Sequence, residues 1–166
     1  KLLSSNHISS VVKEAVSYIK KRRDGTIIPL KTRWKKLNYY MDGGLEWGNM
    51  YVVAGISGAG KSSFANILET DIFDLNPKEK FKVLSFNFEM ASYRQILRKI
   101  SNKIKKTVGE LKSSNNILTD DEIDNIEEVA KKISLYDIHY VDIPGSIIEI
   151  WHTILEFQKN NPDHKV

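Results

Sequence analysis

Eight consecutive residues, Gly55-Ile56-Ser57-Gly58-Ala59-Gly60-Lys61-Ser62, carry the clearest chemistry in the chain. Glycines at 55, 58 and 60 let the backbone curl until several N–H groups face one anion, and a helix starting here adds its positive end. Lys61 has the length to reach terminal phosphates, and the Ser62 hydroxyl is the hard oxygen donor that Mg²⁺ prefers. The spacing GxxxxGK(S/T) is that of a P-loop. It assigns Gly55, Ile56, Ser57, Gly58, Ala59, Gly60, Lys61, Ser62 and Ser63 to the phosphates of ATP, with Ser62 as the magnesium ligand. A glycine-rich turn capped by Ser62 has the same composition; a strand before the loop and a helix after it separate the two.

Transfer of a phosphoryl group to water also needs a group that positions the water, and a carboxylate at the C-terminal edge of a neighbouring strand has the reach. Glu89 follows the run Lys82-Val83-Leu84-Ser85-Phe86-Asn87-Phe88 and occupies that place. A carboxylate there also stabilises the N-terminus of a following helix through its dipole, so the residues alone leave Glu89 between two roles.

The elements that must position these groups follow from periodicity. Met50-Tyr51-Val52-Val53-Ala54 predicts a strand into the loop, and Phe64, Ala65, Ile67 and Leu68 a helix out of it. Lys82 to Phe88 is a second strand, and Tyr93, Ile96, Leu97, Ile100 and Ile104 mark the helix after Glu89. Thr119-Asp120-Asp121-Glu122 is a capping box for a helix through Ile133, and Ile138 to Val141 is a third strand. Ser146 with Glu149 makes a second capping box, for a helix carrying Ile147, Ile150, Trp151, Ile154 and Leu155. Strand and helix alternate, which implies an α/β fold with parallel pairing and crossover helices. Ahead of this, Ile8, Val11, Val12, Ala15, Tyr18 and Ile19 recur at helical spacing and end in Lys20-Lys21-Arg22-Arg23, cations at the favourable end of a helix. Gly25 to Gly48 reads as a punctuated connection. A further strand is expected where the chain stops at Val166, so the chain reads as a fragment of something longer.

With 166 residues, 41% hydrophobic and 28% charged, the chain has the material for one core and is too apolar for a disordered tail. A net charge of +4 suits a polyanionic partner only mildly. The lack of cysteine excludes disulfides and thiolate metal sites. No apolar run approaches the roughly 20 residues that span a bilayer, so a soluble protein is expected. His7, His139, His152 and His164 lack the spacing for zinc. Lys20 to Arg23, and likewise Lys99, Lys103, Lys105 and Lys106, read as solvated helix faces rather than a phosphate-binding patch. The segment after Glu89 offers only Arg94 and Arg98 for a small-molecule kinase lid, and no Asn-Lys-x-Asp pattern supports a GTPase.

Several local patterns, in order, resemble the C-terminal ATPase domain of the DnaB-type hexameric helicases. They are Leu37-Asn38, Gly43-Gly44-Leu45 and Trp47-Gly48 before the P-loop, then Phe86-Asn87-Phe88-Glu89-Met90, similar to a strand ending in Ser-Leu-Glu-Met. Leu118-Thr119-Asp120-Asp121-Glu122 and Tyr140-Val141-Asp142 continue the likeness. The resemblance implies a RecA-like P-loop NTPase core with a mostly parallel sheet flanked by helices, preceded by an N-terminal linker helix and C-terminally truncated. It divides the chain into a linker helix, residues 1–25, and the N-terminal portion of the ATPase domain, residues 26–166. Lys61 and Glu89 become the catalytic residues, with the glutamate activating the hydrolytic water.

The implied function is an ATP- and Mg²⁺-dependent motor in DNA replication, a ring hexamer acting on single-stranded DNA through segments beyond residue 166. It would work off the membrane, in the cytoplasm of a bacterium or phage-infected cell. The helix Ser9 to Arg23 is similar to the linker helix that packs on a neighbouring subunit; packing on its own domain is the alternative. Asp142 imitates the family's metal-holding aspartate but stands one strand too early, which leaves it a loop or capping role. A recombination-type ATPase shares the P-loop and the glutamate and stays an alternative, as does a nucleotide-binding module inactive in truncated form. The metal-holding aspartate, the arginine finger and the DNA-binding loops would lie beyond Val166, so residues 1–166 alone are expected to bind nucleotide with little turnover.

Overall fold

The computed structural model describes residues 4–166. The chain divides into two compact units, one reaching to Tyr51 and the other running from Val52 to Val166. Its length suits a single core, but the residues up to Tyr51 close on themselves. Leu30 and Leu45 exchange backbone hydrogen bonds of 2.7 and 2.9 Å in an antiparallel bridge. The Tyr18 hydroxyl donates to Glu46 at 2.6 Å, and Arg22 donates to the Asp42 carbonyl at 2.5 Å. At Gly44 a Cβ would lie 2.2 Å from the Leu30 carbonyl oxygen, so the bridge closes only over glycine.

In this first unit α1 (Ile8–Arg23) starts on His7, whose ring nitrogen accepts from the Ser9 N–H at 3.2 Å, and ends in four cations. None of its residues is buried. A short helix, α2 (Lys35–Tyr40), stands where the sequence suggests only an irregular connection. Asn38 organises it: its carbonyl oxygen accepts from the N–H and hydroxyl of Thr32 at 3.0 and 2.7 Å, and its amide nitrogen donates to the Thr32 carbonyl at 2.7 Å. Such side-chain to backbone bonds carry no periodicity.

The second unit contains α3 (Lys61–Leu75), β1 (Val83–Phe86), α4 (Ser92–Ile104), α5 (Val108–Leu111), α6 (Asp120–Ile133), β2 (Ile138–Val141) and α7 (Ile147–Asn160). The two strands pair in parallel, from Val83 opposite Ile138 to Phe86 opposite Val141. Val83 N–H donates to Asp137 on that side, whereas Lys82 N–H donates to the Lys165 carbonyl at 2.8 Å. Successive N–H groups of a strand point to opposite edges, so the bridge between Phe81 and Lys165 flanks β1 on its other side.

Met50 to Ala54 does not form the predicted strand. Among the described residues its backbone makes no backbone hydrogen bond, and Met50 and Val52 are 87% and 78% exposed. A strand exists through its pairing partner, which an apolar run does not supply.

Phe73 of α3 stacks on Phe81 and Tyr136 with ring centroids 4.5 and 5.4 Å away, and Ile72, Ile100 and Ile133 are buried. Both expected capping boxes form, at Thr119 with Glu122 and at Ser146 with Glu149; a third, Thr107 with Glu110, opens α5. Of the lysines expected on a solvated face here, Lys105 is exposed, but Lys99, Lys103 and Lys106 are held in ion pairs. Lys99 is fully buried and donates to Glu69 at 2.7 Å and to the Asn66 carbonyl at 3.1 Å. Lys103 pairs with Asp74 at 2.5 Å, and Lys106 pairs with Glu122. Their partners lie on α3 and α6, out of sight of a reading confined to one helix.

Candidate functional site

The phosphate-binding candidate is built from the start of α3. Gly58 at φ +78° and Gly60 at φ +87° sit in the left-handed region, and their turns deliver Lys61 to the first helical position. The other helices of eight or more residues begin under a side-chain acceptor: His7 for α1, Asp142 for α4, Thr119 for α6 and Ser146 for α7. Helix α3 begins on Gly60, which has none. Its first N–H groups, at Lys61, Ser62 and Ser63, are therefore left to an external anion, helped by the helix dipole.

Lys61 lies over the loop, its Nζ donating to the carbonyls of Gly55 and Ile56 at 2.9 Å each. Both contacts are with neutral acceptors, which phosphate oxygens replace at a gain for a cation. The Ser62 hydroxyl makes no hydrogen bond among the described residues and is exposed, as are Ile56, Ser57 and Ala59. This donor set fits a polyphosphate with a hard cation: orphan N–H groups, one ammonium and one free hydroxyl oxygen.

Glu89 sits in the turn between β1 and α4, exposed to solvent. It lines a cleft of about 200 Å³ together with Ser62, Asn66, Glu69, Asn87 and Gln95. The structure thus brings Glu89 and Ser62 to one cavity, while Gly55 to Lys61 and Ser63 are not in its lining. Asp142, following the end of β2, accepts from the Ser92 N–H at 3.0 Å and the Ser92 hydroxyl at 2.6 Å. It caps α4 directly after the Glu89 turn.

A polar network behind the cleft has no signature in local spacing. Glu69 accepts from Lys99 at 2.7 Å, from the Ser85 hydroxyl at 2.7 Å and from the Tyr140 hydroxyl at 3.4 Å. Burial lowers the Lys99 pKa against the opposing pull of Glu69. Burial, reinforced by Glu69, raises Tyr140 above the ordinary phenol range. One sequence signal does point to it: Ser62, Asn66 and Glu69 recur at helical spacing, which sets the three polar side chains on one face of the helix.

The sequence profile of the DnaB-like helicase C-terminal domain matches residues 29–165, most of the chain. This chain belongs to that family. The DnaB-like match takes in the glycine-rich loop and Glu89, and it begins after α1. Among solved structures, one described as an ATPase domain is similar at a TM-score of 0.77 and 20% identity, over 97% of this chain and 55% of its own. The DnaB-like chain therefore spans about half the length of that structure. At this identity the likeness establishes the fold, the α/β, RecA-like P-loop architecture with its parallel sheet. No curated protein sequence matches the chain.

Proposed function

We propose that this DnaB-like chain is the ATP-binding and hydrolysing part of a hexameric helicase motor that moves along single-stranded DNA during replication. The observation that carries the reading is a P-loop at an uncapped helix start, with Glu89 facing the same cleft as Ser62, inside a family match over residues 29–165. The N–H groups at the start of α3 bind the phosphates, and Lys61 exchanges the carbonyls of Gly55 and Ile56 for terminal phosphate oxygens. Glu89 accepts a proton from the attacking water; the water oxygen forms the new P–O bond as the bond to the leaving diphosphate breaks. Mg²⁺, held through the Ser62 hydroxyl, supplies neutralisation of the charge on the phosphate oxygens.

In this reading α1 is the linker helix of the segment 1–25, of which residues 1–3 lie outside the described residues, and residues 26–166 are the ATPase portion. The stripe of Ile8, Val12, Val16 and Ile19 on α1 has no buried member, which supports its seating on a neighbouring subunit. The test is hydrolysis by the full-length protein with and without single-stranded DNA, together with native mass spectrometry. Stimulation by DNA in a six-membered ring is the expected result. Hydrolysis indifferent to DNA, or a filament in place of a ring, would overturn it.

A further inference from the structure

Three carboxamides, Asn66, Asn87 and Gln95, line the cleft that Ser62 shares with Glu89. Each has a donor end and an acceptor end, and here their orientations are fixed by a group that can only accept. The backbone carbonyl of Gln95 lies 3.1 Å from the Asn66 side-chain nitrogen, which must donate to it. The same nitrogen is 2.8 Å from Gln95 Oε1, making that oxygen the acceptor. Gln95 is thereby turned so that its Nε2 donates to Asn87 Oδ1 at 3.4 Å. Asn87 ends the relay with its Nδ2 pointing away from Gln95, a buried donor with no partner among the described residues. The other end is anchored in the interior, since Asn66 is 3% exposed.

A buried N–H without an acceptor is costly, and in a native protein it calls for a ligand or a bound water. The Asn87 backbone is held by the sheet, its N–H donating to the Val141 carbonyl at 2.9 Å. Its side chain hangs on the longest bond of the relay and turns about a soft terminal torsion, so the amide can swing into the cleft. The cleft has Ser62 on one wall and Glu89 two residues beyond Asn87. Resting on the reading of Gly55 to Ser62 as a nucleotide site, we propose that Asn87 is the residue that reads the terminal phosphate. Its Nδ2 donates to a γ-phosphate oxygen of a bound nucleoside triphosphate, and Gln95 and Asn66 hold the amide with that end free. A diphosphate offers no such oxygen. The relay thus ties the presence of the γ-phosphate to α3, through Asn66, and to α4, through Gln95.

The experiment is calorimetric titration of the full-length protein with the non-hydrolysable triphosphate AMP-PNP and, separately, with ADP, both with Mg²⁺. In Asn87→Leu, of similar volume and without a donor, affinity for AMP-PNP falls about tenfold, as for loss of a hydrogen bond to a charged group, while affinity for ADP stays the same. Gln95→Met shifts discrimination in the same direction by less, because the amide loses its orientation and keeps its donor. Asn87→Ala gives the same readout if the leucine variant does not fold. Equal weakening toward both nucleotides, or no change toward either, overturns the role of Asn87 and leaves the nucleotide site standing. Wild-type protein that binds neither nucleotide overturns the nucleotide site and the inference together.

Discussion

Glu89 and Lys99 carry charge for opposite reasons. Glu89 stands in solvent at a strand end, with no structural bond that requires a carboxylate there, whereas Lys99 is sealed between α3 and α4 against Glu69. Glu89→Gln is therefore expected to lower kcat by roughly 10²–10⁴ with nucleotide affinity retained, as for removal of a general base, measured by steady-state hydrolysis and titration. Lys99→Met leaves the Glu69 carboxylate with the hydroxyls of Ser85 and Tyr140 but without its cation, and breaking a buried pair this way costs about 3–5 kcal/mol. Urea unfolding reads the loss; an unchanged midpoint would show that Glu69 finds water instead. The candidate P-loop stands out in the sequence because its residues are local: three glycines, a lysine and a serine fall within eight residues. Lys99 reads as solvated from its own helix because its meaning lies in Glu69 and Asn66, on another.

At the scale of elements, helix starts are the most legible feature and strands the least. The boxes at Thr119 and Ser146 form because both partners fall within one turn, so spacing alone specifies the bonds. Met50 to Ala54 fails as a strand because pairing is decided by another segment. Asp142 combines the two cases, a cap supplied to α4 from the end of β2. Asp142→Ala is expected to loosen the first turn of α4 by about 1 kcal/mol, visible as faster hydrogen exchange there and not in α6.

The capping boxes also set a pH dependence. The Ser146 hydroxyl and N–H hold the Glu149 pKa below the ordinary carboxylate range, and Thr107 does the same for Glu110. Because the folded state favours the ionised form, this stability is present above the unfolded carboxylate pKa. It fades as pH falls through the lowered folded value. The stability gap between wild type and Glu149→Gln should then be open at about pH 6 and close on acidification toward about pH 3, by urea midpoints.

For the whole molecule, the family and the α/β architecture are legible, since motifs of the DnaB-like domain recur in order from Leu37 to Asp142. The division after Tyr51 is not. It rests on the bridge of Leu30 with Leu45 and on Tyr18 with Glu46, contacts with no signature in composition. Residues 50–56, exposed and without sheet partners, should be where limited proteolysis of the full-length protein cuts first, and ATP with Mg²⁺ should protect the bonds from Gly55 onward.

If Gly55 to Ser62 holds the phosphates of a nucleotide, affinity must depend on Lys61. Calorimetric titration of ATP with Mg²⁺ into full-length wild type and Lys61→Ala tests it most directly. Saturable binding by wild type is expected, with a loss of about a hundredfold or more in the variant, from removal of a cation paired with phosphate. Equal affinity in the two proteins would contradict it.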